Sequence, residues 1–336
     1  MQICYLMAFP DLASDDPEPA ERIKGLKDAP YFEPVDVDVR MLGQQSTHVE
    51  GVTTTVIRQR FDARVQVLEC RFELPDALSQ NAIQHRKNIE RGLCQLFIPE
   101  TYRANGLFEE YVILLVSESV SAPDEYIQTN AQNLARFIRS HRESFDQTEI
   151  DEILSSRVRY SREDLTLVDW EGAVIITPSG DFQSDIELLK IGNYQLLRYR
   201  MLDQAIEANL RRINTDFKAK TKGALRPGPT RSSMRRIINL RLELMLDFEH
   251  TSQSLLMIGD WYTAKLYDAI QQELYLPDWK QIVAEKLDNL EAIAETIQEN
   301  FSLSWAGLME NVQLAGWIIL LIGYFVLFYL DWMAAH

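Results

Sequence analysis

The run Trp317-Ile-Ile-Leu-Leu-Ile-Gly-Tyr-Phe-Val-Leu-Phe-Tyr-Leu330 decides the fold that this sequence predicts. No charged side chain occurs between Glu310 and Asp331. About 20 helical residues rise roughly 30 Å, which is the thickness of the hydrocarbon core of a bilayer. Trp332 follows the run, in a position where aromatic rings favour the membrane interface. The sequence therefore predicts one transmembrane helix over residues 312–330, and the alternative is a buried core helix.

The composition limits the compartment and the partners of the remaining chain. The 336 residues carry a net charge of −16, which disfavours general nucleic-acid binding by the whole body. Cys4, Cys70 and Cys94 show no paired spacing, which argues against disulfides and against a cysteine zinc site. The N-terminal residues lack the features of a secretory signal or a transit peptide. We therefore expect a single-pass membrane protein whose body lies in the cytoplasm.

Residues 1–177 have the pattern of an α/β domain. Apolar and β-branched runs predict strands, and apolar residues at helical spacing predict helices. The predicted strands are 3–9, 53–61, 64–74, 111–116, 157–160, 164–168 and 173–177, and the predicted helices are 76–97 and 123–140. Only Asp62 and Ala63 separate the second strand from the third, which indicates a hairpin.

Residues 178–311 have the pattern of long helices. The first is predicted from a capping box at Ser184 and Glu187 to about Lys218, the second over about 232–275, and the third from near Asp278. The predicted fold class is α+β: an N-terminal α/β domain, then a long antiparallel helical bundle or stalk that ends in the transmembrane helix. The apolar stripes of these helices suit an ordinary bundle core and a homo-oligomer equally well.

The loop 218–236, with its flanks, is the main basic region. If the last helix leads to the membrane, the middle one leads away from it, and this loop lies close to the bilayer. A basic cluster near anionic headgroups gains about 1 kcal/mol per charge. We therefore predict lipid binding by Arg211, Arg212, Lys218, Lys220, Lys222, Arg226, Arg231, Arg235 and Arg236. The alternatives are surface charge, ion pairs within the protein, and nucleic acid.

No catalytic constellation can be recognised in the sequence. It contains no Gly-rich phosphate loop, no GxSxG motif and no HExxH motif. The five histidines are scattered, and the acidic group Asp146, Glu149, Asp151 and Glu152 has the pattern of a solvated helix face. We therefore expect no catalytic, cofactor-binding or metal-binding residue, no cofactor and no enzyme activity.

A set of spaced motifs runs through the helical half. They are Asn193-Tyr-Gln-Leu-Leu197, Arg200, Asp203, Gly259-Asp260, Tyr262, Lys265, Tyr267, Trp279, Lys286-Leu287, Leu290 and Glu310. In the order and spacing of these motifs, residues 165–330 resemble the "required for meiotic nuclear division" family. The resemblance implies a membrane-anchored scaffold, with mitochondrial members linked to organellar translation, and it brings no catalytic residues.

Two hypotheses of function follow from the sequence. The first is a single-pass membrane-anchored scaffold or assembly protein without catalytic activity, which forms homo-oligomers through its helical half and holds an unknown protein partner with its α/β domain. The alternative is a channel or transporter subunit, because the predicted architecture is similar to that of CorA-type magnesium transporters. Those transporters have two membrane helices with a Gly-Met-Asn loop between them, whereas this sequence predicts one helix.

Overall fold

The computed structural model describes residues 1–11, 21–22, 37–117, 122–141, 144–221 and 261–334, together with single positions between 239 and 249. The described residues pack as two compact units. The first takes in those of Met1–Asp203 and Phe248–Val283, and the second those of Gln204–Asp247 and Ala284–His336. The domain limits predicted near residues 177 and 311 stay a prediction.

A mixed sheet forms the centre of the first unit. Its described strands are β1 (Gln2–Pro10), β2 (Glu21–Arg22), β3 (Asp38–Val49), β4 (Val52–Phe61), β5 (Val65–Glu73), β6 (Glu109–Val116), β7 (Arg157–Val158), β8 (Leu165–Val168) and β9 (Gly172–Ile176). They lie in the order β2-β3-β4-β5-β1-β6-β9-β8-β7. β6 and β9 are parallel, and the other neighbours are antiparallel. The architecture is therefore an α+β fold with a mixed sheet.

Helices cover both faces of this sheet. The described helices are α1 (Gln80–Phe97), α2 (Glu100–Asn105), α3 (Pro123–Ile138), α4 (Gln147–Ile153), α5 (Gln183–Thr221), α6 (Trp261–Glu273) and α7 (Leu276–Ala334). On one face, residues of α1, α3 and α4 share one apolar core with strand residues such as Ile3. Side chains alternate across a strand, so Glu69 points away from its neighbours Leu68 and Cys70 in that core. It contacts Lys190, which places α5 on the opposite face.

Local sequence explains where the helices begin. Ser79 caps α1, because its hydroxyl accepts a hydrogen bond from a backbone N–H of the first turn at 3.2 Å. The capping box predicted at Ser184 and Glu187 is wrong, since α5 already begins at Gln183. The carboxylate of Glu187 instead accepts a hydrogen bond from Lys190 at 2.8 Å.

The predicted transmembrane helix is wrong. Within the part of the chain that the structure describes, no helix is long and apolar enough to cross a membrane. The predicted fold class therefore fails in its terminal element, and so does the predicted single-pass membrane location with a cytoplasmic body.

The second unit contains the last part of α5 and most of α7. Lys286 donates a hydrogen bond to Glu207 at 2.9 Å and so joins the two helices. α7 begins at Leu276, beside Pro277, where a break between helices was predicted. The helix predicted over about 232–275 corresponds in its last part to α6, and residues 232–238 and 250–260 lie outside the described residues.

Candidate cation-binding cavity

A cavity of about 270 Å³ lies in the first unit, at one end of the sheet. β6 pairs with β9 only from Val112 onward, so its first residues extend past the end of β9. The acidic side chains of the lining are Glu90, Glu109, Glu110 and Glu171. Tyr5, Tyr111 and Trp170 are its aromatic side chains, and Ser140 and Asn193 are neutral polar ones. α1, the start of β6 and the turn between β8 and β9 therefore contribute four carboxylates to the lining, and α5 contributes Asn193.

Glu109 is held by an arginine on α5. The guanidinium of Arg200 donates hydrogen bonds to the Glu109 carboxylate and to the backbone oxygen of Phe108, the latter at 3.1 Å. Burial nevertheless raises the pKa of Glu109 to about 7, against the opposing effect of Arg200 and with a further contribution from Glu110. Glu109 therefore changes its charge near neutral pH.

Glu90 is a carboxylate on α1 that makes one ion pair and no hydrogen bond with the described residues. Its Oε1 atom lies 2.9 Å from Nε of Arg86, without the geometry of a hydrogen bond. Arg86 is fully buried, donates to the backbone oxygen of Phe137 at 2.9 Å and lies 4.2 Å above the ring of that residue. Burial raises the pKa of Glu90. Buried carboxylates normally accept hydrogen bonds, so Glu90 has unused acceptor capacity.

Glu110 and Glu171 lie at the mouth of the cavity, where both are exposed. The hydroxyl of Tyr5, on β1, donates to the Glu110 carboxylate, and burial raises the pKa of Glu110 in spite of this bond. Glu171 lies 3.9 Å from Arg139, which also pairs with Asp169 at 3.0 Å. Of these two glutamates, only Glu171 has a cationic partner among the residues described.

Aromatic rings form part of the same lining. Trp170 is partly exposed, and its ring makes an edge contact with that of Tyr275 at 5.6 Å between centroids. The hydroxyl of Tyr111 donates to the backbone oxygen of Asp169 at 2.8 Å, which fixes the ring in the wall. Aromatic faces attract cations, so these rings and the carboxylates favour the same kind of ligand.

The arrangement fits an organic cation better than a metal ion. Arg86, Arg139 and Arg200 each pair with one carboxylate of the lining, which leaves Glu110 as the lining carboxylate without a cationic partner among the described residues. No group of three His, Cys, Asp or Glu side chains in the described ranges could hold a metal ion. A ligand with several N–H donors can instead reach separate carboxylates of the lining.

Among the predicted motif residues, Asn193 and Leu196 line this cavity and Arg200 contacts a glutamate of the lining. Asn193 lies in the wall, and its amide donates to the backbone oxygen of Leu189 at 2.8 Å. Arg200 binds Glu109, as described above. Tyr262 lies elsewhere and donates to Asp185 at 2.7 Å. Asp203 is the last residue of α5 in the first unit, and Gly259 and Asp260 lie outside the described residues.

The described residues among those predicted to bind lipid do not appear in the lining of the cavity. Arg211 and Arg212 are exposed on α5, and Arg211 pairs with Glu207 at 3.1 Å. Lys218 and Lys220 fall within α5, while Lys222, Arg226, Arg231, Arg235 and Arg236 lie outside the described residues. Without the transmembrane helix, the argument that placed them beside a bilayer no longer holds.

Sequence reasoning missed all four glutamates of the lining. They lie on α1, at the start of β6 and in the turn between β8 and β9, so no spacing along the chain links them. The available signal was local: Glu109 and Glu110 stand directly before the apolar strand Tyr111–Val116. Charged residues at the end of a buried strand indicate either a solvated turn or a functional site, and the sequence alone does not distinguish these alternatives.

The fold and the cavity define an α+β protein with an acidic cavity at the end of a mixed sheet. The family model described as "Uncharacterized protein MJ0711, N-terminal domain" matches residues 8–183, and the chain belongs to this family. The chain is also similar to the "Uncharacterized protein MJ0711" of Methanocaldococcus jannaschii, with 23% identity over 244 residues, which cover 73% of this chain and 70% of that protein. No solved structure matches the chain.

The family match corrects the resemblance suggested by the helical motifs. Neither the matching family nor the similar archaeal protein has a description that mentions meiotic nuclear division. The resemblance was therefore wrong. Its motif residues are explained at least in part by packing, since Asn193 is buried and bonds to its own helix, and Tyr262 is buried against Asp185.

Proposed function

We propose that this chain is a non-catalytic protein that binds a small organic cation in the acidic cavity. The observation that carries the proposal is a cavity of about 270 Å³ whose four carboxylates include Glu90, which accepts no hydrogen bond from a described residue. The volume lies just below the roughly 300 to 1,000 Å³ of ordinary ligand sites, so the ligand is small. A primary amine or a guanidinium supplies both the charge and the N–H donors.

The contacts support a ligand with two separated cationic groups. Glu90 lies in the interior of the lining and Glu110 at its mouth, with Tyr5 between α1 and β6. One ammonium group satisfies Glu90, and a second one interacts with Glu110 beside the face of Trp170. The channel or transporter alternative requires a membrane-crossing helix, and no helix among the described residues is long and apolar enough to be one.

The test is isothermal titration calorimetry of the full chain with 1,4-diaminobutane at low salt. We expect binding by the parent protein, and a loss of about tenfold or more in affinity for Glu110→Gln and for Glu90→Gln, because a hydrogen bond to a charged group contributes about 1.5 to 3 kcal/mol. Glu110→Gln is the more informative variant, since Glu110 is exposed and the glutamine keeps an oxygen that can accept from the Tyr5 hydroxyl. Glu163→Gln, an exposed glutamate outside the lining, is the matched control.

Three outcomes contradict the proposal. One is an absence of heat with the parent protein. Another is equal affinity of the parent, Glu110→Gln and Glu90→Gln, which means that the diamine binds elsewhere. The third is binding of Mg²⁺ with the same affinity and the same response to the variants, which indicates attraction by diffuse charge rather than recognition of N–H donors.

A further inference from the structure

The C-terminal part of α7 exposes an extended apolar surface in the second unit. Every residue from 313 to 327 is exposed. Ile318, Ile319, Leu320 and Leu321 are exposed by 51%, 69%, 69% and 59%. Successive residues of a helix are about 100° apart, so these four side chains span its whole circumference. A helix that is apolar on all sides is normally buried on all sides.

The extent of this surface exceeds what a single folded chain usually leaves open. With its aromatic and branched side chains about half to two-thirds exposed, it presents on the order of 1,000 Å² of apolar area. A typical monomer exposes apolar patches of about 300 to 600 Å², and each partner of a standard interface contributes about 800 Å². The surface is therefore large enough for a stable interface.

We propose that this part of α7 packs against the same segment of further copies of the chain, in a homo-oligomer of more than two copies. A single neighbouring helix covers one side only, whereas the exposed apolar side chains surround α7. A partner recognised by ion pairs does not fit, because no charged residue lies between Glu310 and Asp331. Self-association through the helical half, which the sequence predicted, thereby gains a defined surface.

Two glycines indicate why the partner is a second copy. Gly316 and Gly323 are seven residues apart, so they lie on nearly the same side of the helix. A Cβ atom at either position would meet nothing within 4 Å. The bulky residues Trp317 and Tyr324 follow them at the same spacing. Each copy therefore offers both a recess and the large side chains that can pack beside it, which makes the surface self-complementary.

The test is the molar mass of the full chain, measured by light scattering in a mild nonionic detergent. We expect a defined oligomer of more than two copies for the parent protein. Gly316→Ile with Gly323→Ile fills the recess but makes the helix more apolar. If the packing is specific, the oligomer of the double variant should dissociate at a protein concentration about tenfold or more above that of the parent. If the association is non-specific, the double variant should associate more strongly than the parent.

Ile318→Leu is the matched control, because Ile318 lies away from the side of the two glycines and the change conserves volume. It should leave the mass unchanged. A monomeric or dimeric parent overturns the proposal, and so does a double variant that associates as strongly as the parent. Titration of the same variants with 1,4-diaminobutane separates the two proposals, since the cavity and the C-terminal part of α7 belong to different units.

Discussion

Lys190 shows how one residue can hold several elements together. It is 1% exposed, and it contacts the Glu69 carboxylate of β5, the Glu187 carboxylate at 2.8 Å and the side-chain oxygen of Gln59 of β4 at 3.0 Å. Burial lowers the pKa of Lys190, but Glu187 and Glu69 outweigh this effect and leave its pKa raised. The ammonium group therefore stays charged and ties α5 to two strands.

Removing one partner of this buried cluster should be costly. Glu69→Gln leaves Lys190 without one of its two carboxylates, and breaking a buried ion pair in this way costs about 3 to 5 kcal/mol. We expect that loss in the free energy of unfolding measured with urea. Glu73→Gln, an exposed change on the same strand, should cost less than about 0.5 kcal/mol. Equal stability of the two variants would refute the structural role of the cluster.

At the scale of elements, Gly192 sets the distance between α5 and α6. A Cβ atom at this position would lie 2.4 Å from Cγ2 of Ile270 and 3.1 Å from Cδ1 of Leu274. The Cγ2 methyl is attached directly to the rigid, branched Cβ of Ile270, so it cannot move aside easily. The helices can therefore pack at this separation only while residue 192 lacks a side chain.

The same substitution should have opposite effects at two glycines. Alanine is usually favoured over glycine within a helix by about 1 kcal/mol. Gly192→Ala should nevertheless destabilise the chain by about 1 to 3 kcal/mol, because the added methyl overpacks the contact with Ile270. In the dissociated chain at low protein concentration, Gly316→Ala should be neutral or stabilising, because the added methyl meets nothing within 4 Å in its own chain. Thermal unfolding compares them, and a stabilising Gly192→Ala would contradict the close approach of the helices.

Strands whose own residues form an apolar run could be predicted from the sequence. The strand predicted over 3–9 is observed as Gln2–Pro10, and the one over 111–116 as Glu109–Val116. β3 was missed because its sequence is polar around Gly43, and most of its side chains are exposed. Its pairing with β4 holds it in the sheet, and this backbone pairing does not require apolar residues to alternate along the sequence.

The cavity could not be predicted for a related reason. Glu90 and Glu171 reach it from a helix and a turn that are distant in sequence, and only the folded sheet brings them near Glu109. Arg200 was singled out, but for a family that the comparisons do not support. Its role became visible only through its contacts with Glu109 and Phe108, which are more than 90 residues away in sequence.

At the scale of the whole molecule, buried carboxylates should make stability depend on pH. Burial raises the pKa of Glu109 to about 7 from an ordinary value of 4.5. Between these values the folded chain holds a proton that the unfolded chain has lost, so the free energy of unfolding falls as pH rises through this window. Burial also raises the pKa values of Glu90, Glu110, Glu171 and Asp169, which act in the same direction.

We therefore expect the free energy of unfolding, measured by urea denaturation, to be higher at about pH 5 than at about pH 8. Glu109→Gln should reduce this difference by up to about 3 kcal/mol, because it removes a titrating group whose pKa differs between the two states by about 2.5 units. Glu163→Gln should leave the pH dependence unchanged. A parent protein that loses stability steadily on acidification through this range would contradict the burial of the carboxylates.

The central position of β1 has a consequence for how the chain acquires its structure during synthesis. Residues 2–10 lie between β5 and β6, and Gln2 faces Glu73 on one side and Leu115 on the other. β1 therefore leaves the ribosome before its partners, which follow about 70 and 110 residues later, and contacts over such distances in sequence form slowly. Until β6 emerges, the apolar side chains of β1 lack their second neighbour, and this interval is when the nascent chain is most exposed to misassociation.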